Sequence, residues 1–181
     1  MASTFASPLT SPLISAEAIA ARVAELGAQI TRDFEGRSPI LVCVLKGSIP
    51  FFADLSRHIG LPARFDTIQV RSYHGTESSG QVEFLSDLDV DIEGEDVLLI
   101  EDIVDTGRTM TALLANLRRR GPSSLGIVAL LDKPSRRVLP VEIDYTGFTI
   151  EDRFVIGYGL DYEQHFRGRP AIDVLEEIPA E

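Results

Sequence analysis

The sequence predicts an α/β fold: a central, mostly parallel sheet with helices against its faces. Three observations carry this. The runs ILVCVL at 40–45, VLLI at 97–100 and LGIVALL at 125–131 are continuously apolar, as strands covered on both faces are. Twice such a run leads through a glycine-containing turn into a segment with helical spacing, the opening of a βα unit. A length of 181 residues, 44% of them hydrophobic, suits one well-filled core and is short for two.

The elements follow in order. Residues 1–14 are rich in Ser, Thr and Pro and read as a flexible N-terminal arm, leaving 15–181 as one domain. Ser15 stands as N-cap of a helix whose apolar face is Ile19, Val23, Leu26 and Ile30, with Gly36 as its stop. The strand at 40–45 is followed by the turn Lys46, Gly47, Ser48. A helix over 50–59 comes next, since Pro50 suits a first turn and Gly60 a position just past the end. Segments 65–71 and 81–85 carry β-formers and read as strands. Between them, SYHGTESSG at 72–80 is too polar and glycine-rich to pack alone and reads as a mobile loop. Strand 97–100 then gives way to a turn over 101–109 and to a helix with Met110, Leu113, Leu114 and Leu117 on one face. Arg118, Arg119 and Arg120, then Gly121 and Pro122, mark its end. Strand 125–131 ends at Asp132 and Lys133, and 141–145 and 154–158 read as further strands.

Composition excludes several functions. Acids number 28 against 17 bases, a net charge of −11, so a general attraction for nucleic acid is ruled out. The longest apolar runs fall far below the roughly 20 residues of a membrane-spanning helix, and the N-terminus lacks the basic start and apolar block of a secretion signal. Cys43 is the single cysteine, which excludes an internal disulfide and fits a reducing cytoplasm; inside ILVCVL it reads as a small buried hydrophobe. The acidic run from Asp87 to Asp96 fails as a calcium loop, because Ile92 and Leu98 occupy the glycine and final-acid positions.

The chemistry concentrates in VLLIEDIVDTGRTM, residues 97–110. Ligands of an open parallel sheet bind beyond the carboxyl ends of its strands. There, the backbone N–H groups of Thr106, Gly107, Arg108 and Thr109, two threonine hydroxyls and a helix N-terminus can surround one phosphate dianion. Glu101 and Asp102 would repel that phosphate, but as ionised acceptors they suit the paired hydroxyls of a sugar. The set reads as a grip for a ribose 5-phosphate. A kinase-type phosphate loop is excluded, since it requires glycine where Asp102 stands.

This stretch resembles the phosphoribosyl-pyrophosphate-binding motif of type I phosphoribosyltransferases, in the version found in hypoxanthine(-guanine) phosphoribosyltransferases. VLKGSIPFFADL at 44–55, RSY at 71–73, LLDKP at 130–134 and FVIGYGLDYEQHFR at 154–167 are similar to the same family, in the same order. The resemblance implies that family's fold, with a hood from about 1–37 and 150–181 and a lid at about 72–80 that includes Ser72 and Tyr73. It implies transfer of the ribosyl 5-phosphate from phosphoribosyl pyrophosphate to N9 of hypoxanthine or guanine, releasing pyrophosphate in purine salvage. Asp105 is implied as the general base facing purine N7. Lys46 and Gly47, joined by a cis peptide, and Arg167 are implied to meet pyrophosphate. Lys133 would donate to the purine O6, Phe154 would stack on the base, and Val155 and Asp161 would meet its edge. Magnesium, Mg2+, would be held by Glu101, Asp102 and Asp161, and a homodimer or homotetramer is implied. Arg108 replaces a common lysine, and Ser48 replaces a glycine found in some members.

Two other readings share the resemblance. A regulator of pyrimidine genes on this fold, with uracil phosphoribosyltransferase activity, needs a basic face for RNA, which an acidic chain with Lys133 does not supply. A non-catalytic relative of phosphoribosyl-pyrophosphate synthases would lack the base-contacting set Lys133, Phe154 and Asp161.

Overall fold

Both faces of the central strands are covered, which is why their sequences do not alternate. The computed structural model describes residues 9–72 and 82–177. Its elements begin with strand β1 (Leu9–Ile14), helix α1 (Ala16–Asp33), β2 (Ile40–Leu45), α2 (Ile49–His58), β3 (Arg64–Ser72) and β4 (Val82–Ser86). They continue with β5 (Asp96–Val104), α3 (Arg108–Arg118), β6 (Ser124–Asp132), a 3-10 turn (Pro134–Arg136), β7 (Tyr145–Thr149), β8 (Val155–Ile156) and β9 (Ile172–Glu177).

The main sheet has six strands in the order β4-β3-β2-β5-β6-β7, parallel except for the edge strand β4. Neighbouring residues of a strand point to opposite faces. Leu41, Leu98, Ile100, Val128 and Leu130 therefore enter one layer with Ile19, Val23, Leu26 and Ile30 of α1 and Phe51 and Leu55 of α2. Ile40, Val42, Val44, Val97, Leu99, Ile127 and Ala129 enter the other, under Met110, Leu113 and Leu117 of α3. Each fully buried side chain of this size contributes about 2 kcal/mol, so packing rather than helix propensity holds these short helices.

Local signals act where the sequence placed them. The Ser15 side chain accepts from the Ala18 N–H at 3.2 Å and caps α1, and Gly36 takes φ +75° beyond its end. Helices α1 and α2 cross closely at Gly27, where a Cβ would stand 2.4 Å from that of His58. A second sheet, β1-β9-β8, is antiparallel and joins the two ends of the described chain. Ile14, Val155, Ile172 and Val174 carry its apolar side into the layer that also holds α1 and α2.

Four expectations about the elements are corrected. Residues 9–14, assigned to a flexible arm, are a paired edge strand, which tolerates Pro12 beside a register shift. Strand β5 does not stop at Ile100 but runs to Val104, because its pairing with β6 continues to Val104 opposite Asp132. Residues 141–144 are not a strand, and β7 begins at Tyr145. The Asp144 carboxylate accepts from the Ile127 N–H at 2.8 Å and so occupies the edge of β6 that a strand would need. Strand β8 is confined to Val155–Ile156, since Gly157, Tyr158 and Gly159 turn the chain with φ of +100°, +47° and +100°. The expected lid falls outside the described residues apart from Ser72, where β3 ends.

The strand order decides where a ligand can sit. From β2 the chain moves outward to β3, whereas from β5 it moves the other way to β6 and β7. The crevice at this reversal, beyond the carboxyl ends of β2 and β5, is where open α/β sheets bind ligands. It brings together Lys46–Ser48, the end of β5 and the start of α3.

Candidate active site

The anion cradle is built by one glycine. Gly107 is the N-cap of α3 with φ +83°, and a Cβ there would lie 2.4 Å from the Leu139 carbonyl oxygen. Only glycine admits both that conformation and that contact. The Thr106 carbonyl accepts from the Val138 and Leu139 N–H groups at 2.9 and 3.0 Å, which anchors the turn from behind. Arg137, which sequence reasoning did not single out, holds it from the side. Its guanidinium donates to the carbonyl oxygens of Val104 and Asp105, at 3.3 and 3.1 Å, and to the Asp132 carboxylate. The first amides of α3, from Arg108 and Thr109 onward, then lie at the carboxyl edge of the sheet, where a helix N-terminus favours an anion.

The two acids before the cradle behave differently from the sequence expectation. They lie in β5 and not in the turn after it, so they point to opposite sides of the strand. Glu101 is buried, its Oε2 has no hydrogen-bond partner, and burial followed by the proximity of Asp102 raises its pKa well above the ordinary carboxylate value. Burial also pushes Asp102 up, to about 6, against the opposing effects of the Ile103 N–H and the Arg167 guanidinium. Burial thus opposes the charged form of both carboxyls, which the sequence reading took as plainly ionised acceptors.

The turn after β2 presses on Asp102. A Cβ on Gly47 would fall 1.7 Å from Asp102 Oδ2, so a side chain at 47 would displace that carboxylate. The cis peptide of this turn joins Leu45 and Lys46, not Lys46 and Gly47 as expected. The glycine serves the approach of Asp102, so the cis bond does not have to fall at it. Lys46 is exposed, while Ser48 is buried and donates to the Val44 carbonyl.

On the other side of the cradle, β5–β6 pairing sets Lys133 beside Asp105: the Lys133 N–H donates to the Val104 carbonyl at 3.0 Å. Lys133 is buried, and its ammonium donates to the Arg153 carbonyl, immediately before Phe154. Burial lowers its pKa, and the nearby Asp105 opposes this. Phe154 is 53% exposed, so it is not core; its ring meets that of Tyr162 edge-on at 6.0 Å. Val155 is buried in β8. Asp105 Oδ1 has no aligned hydrogen bond but lies 3.2 Å from Arg136 Nε, and Arg136 also faces Asp152 at 3.4 Å. Sequence reasoning missed Arg136 as well; the pair Arg136 and Arg137 just after a strand-ending lysine was the available signal.

Arg167 and Asp161 belong to the loop that follows β8. Arg167 donates to the Gly159 carbonyl at 2.7 Å and pairs with Asp161 at 2.7 Å, and the Asp161 carboxylate also accepts from the Gln164 N–H at 2.8 Å. Glu101, Asp102 and Asp161, the implied metal ligands, are not preassembled. Among the described residues no three Asp, Glu, His or Cys side chains converge as a metal cluster, and Asp161 is engaged by Arg167. The donor chemistry still suits a divalent cation held partly by substrate. Two carboxyls that burial has raised, one with an orphan oxygen, would be stabilised in their charged form beside it, and magnesium accepts water and phosphate oxygens alongside carboxylates.

The site therefore offers an anion cradle, two raised carboxyls, a close-packed turn carrying Lys46 and an edge with an ammonium, an acid and an exposed ring. Known proteins resemble this chain over most of its length. Residues 12–163 match the family model described as a phosphoribosyl transferase domain. Hypoxanthine-guanine phosphoribosyltransferase of Streptococcus pneumoniae is 48% identical over 166 residues, 91% of this chain and 92% of that protein. A hypoxanthine phosphoribosyltransferase structure from Staphylococcus aureus superposes with a TM-score of 0.88 at 45% identity, covering 92% of this chain and 91% of that one. A Trypanosoma cruzi hypoxanthine phosphoribosyl transferase, studied for the role of its C-terminal region in oligomeric state and activity, superposes with a TM-score of 0.88 at 40% identity over 94% of this chain and 93% of its own. The cradle at the end of β5 and the match over most of the chain lead to one conclusion: this protein belongs to the phosphoribosyltransferase family, among the hypoxanthine-guanine phosphoribosyltransferases.

Proposed function

We propose that the protein transfers the 5-phosphoribosyl group of phosphoribosyl pyrophosphate to N9 of a 6-oxopurine, hypoxanthine and also guanine, giving the mononucleotide and pyrophosphate. The observation that carries this is the register of β5 against β6, which sets the cradle and Asp105 beside Lys133.

In this reading the 5-phosphate lies against residues 105–109, the ribose hydroxyls face Glu101 and Asp102, and pyrophosphate lies between Lys46–Gly47 and Arg167. Lys133 exchanges the Arg153 carbonyl for the purine O6. Adenine offers a donor there, and a buried donor facing a donor supports discrimination of roughly 10⁴-fold. Phe154 stacks on the ring, with the backbone of Val155 and Asp161 at its edge. As C1′ loses pyrophosphate and acquires oxocarbenium character, Asp105 takes the proton from purine N7, and N9 forms the new bond. For this the Arg136 guanidinium, on an exposed side chain, moves off the carboxylate. Mg2+, when bound, neutralises charge that builds on the departing pyrophosphate. Glu101 and Asp102 would hold it, with Asp161 free to join once Arg167 turns to pyrophosphate. Ser72 and Tyr73 are assigned to a lid that excludes water from C1′.

We place the enzyme in the cytoplasm on the strength of its single buried cysteine, and infer a homodimer or homotetramer from the family resemblance. Net charge −11 speaks against the RNA-binding alternative. Incubation with magnesium, phosphoribosyl pyrophosphate and a panel of hypoxanthine, guanine, xanthine, adenine and uracil, followed by ultraviolet absorbance, tests the assignment. Turnover of uracil but not hypoxanthine would replace it.

A further inference from the structure

The turn after β8 is built against the β2–α2 turn in a manner that no substrate contact requires. A Cβ on Gly159 would stand 1.8 Å from the Gly47 carbonyl oxygen and 3.0 Å from Pro50 Cδ. Gly47 in turn has no room for a Cβ against Asp102. Three segments are thus stacked: the Asp102 carboxylate at the end of β5 on the turn carrying Lys46 and Gly47, and that turn's backbone on the turn carrying Gly159, whose carbonyl receives Arg167 at 2.7 Å. Between Gly157 and Gly159 sits Tyr158 with φ +47°, a left-handed conformation that is uncommon for a bulky residue and persists where the surroundings impose it. The tyrosine is buried, and its hydroxyl donates to Asp54 Oδ2 at 2.7 Å. Asp54 lies one helical turn after Pro50 on α2, so the bond reaches from the turn after β8 to the helix that the Lys46 turn leads into.

We propose that the Tyr158–Asp54 hydrogen bond is a peg that fixes the Gly157–Gly159 turn on the Lys46–Gly47 turn, and so sets Arg167 and Lys46 at the spacing one pyrophosphate group needs. The inference rests on the assignment of these residues to pyrophosphate. Tyr158 and Asp54 touch no substrate and are positioning residues. Loss of the peg weakens phosphoribosyl pyrophosphate in its ground and transition states alike, which appears in KM and not in kcat.

Steady-state kinetics with each substrate varied in turn tests this. Tyr158→Phe, which removes one oxygen, is expected to raise KM for phosphoribosyl pyrophosphate about tenfold, the effect of one charge-assisted hydrogen bond. KM for hypoxanthine and kcat should stay within about twofold. Asp54→Asn keeps an acceptor oxygen and should restore most of the affinity, whereas Asp54→Ala should match Tyr158→Phe. The Tyr158→Phe, Asp54→Ala double variant should be no worse than either single, because both remove the same bond. An unchanged KM for phosphoribosyl pyrophosphate in Tyr158→Phe overturns the peg. So does an equal rise for both substrates accompanied by a fall in Tm, which indicates general loosening. Wild-type protein that transfers no phosphoribosyl group to any purine sinks the functional assignment and the peg together, so the two failures are told apart by the wild-type control.

Discussion

Single side chains at this site are tuned by what surrounds them, and Asp102 shows it. An acid whose folded pKa is raised binds more protons folded than unfolded between the two values, so stability falls as pH rises from about 3.8 to about 6. Above that window the ligand-free protein carries the full cost, on the order of 3 kcal/mol. Asp102→Asn should therefore raise the Tm of the ligand-free protein at pH 8, with the gain shrinking toward pH 4. Thermal melts across that range check it, and a gain that is largest at pH 4 would reverse the sign. Asp105 carries a different expectation. Asp105→Ala should lower kcat by about 10²–10⁴-fold while leaving phosphoribosyl-pyrophosphate binding within a few-fold, measured by titration calorimetry; intact kcat with lost binding would move this residue out of the base role. Gly107→Ala should abolish phosphate affinity, because the new methyl meets the Leu139 carbonyl in a backbone conformation alanine disfavours.

Elements bring these residues into register, and their spacing is set by glycines at crossings. Gly27 lets α1 approach α2, the helix that follows the Lys46 turn and carries Asp54. Gly27→Leu should force the helices apart at a cost of about 1–3 kcal/mol, read as a lower urea midpoint with an unchanged m value. A variant as stable as the wild type would show that the crossing can yield. Strand β5 has the same organising role in the sheet. Its four residues beyond the apolar run keep pairing with β6, and this carries Glu101 and Asp102 inside the sheet edge, where burial raises them. That outcome is invisible to a reading that ends strands where apolar residues end.

For the whole molecule, the reversal of strand order puts the binding crevice between two independently built turns, so ligand binding should report on the fold as a unit. Phosphoribosyl pyrophosphate with magnesium should raise Tm, by an amount that grows with ligand concentration as mass action requires, and magnesium alone should do much less. Equal stabilisation by magnesium alone would mean that the protein completes a metal site unaided, contrary to the donor arrangement seen. Among the described residues no helix is long and apolar enough to cross a membrane.

The order of apolar runs and glycine turns by itself determined the α/β class, the two covered faces of the sheet and the stretch that carries the cradle, because these follow from local periodicity and short-range backbone chemistry. Motif likeness also pointed to Lys133, Phe154 and Arg167. Only the tertiary structure decided that residues 9–14 pair with a strand more than 150 positions away, that 141–144 leave the sheet, and that the cis bond precedes Lys46. It also supplied Arg136, Arg137, Asp54 and Tyr158, whose roles arise from partners distant in the chain. Pairing partners, burial and carboxyl pKa depend on what lies across space, and no local pattern of residue types encodes that.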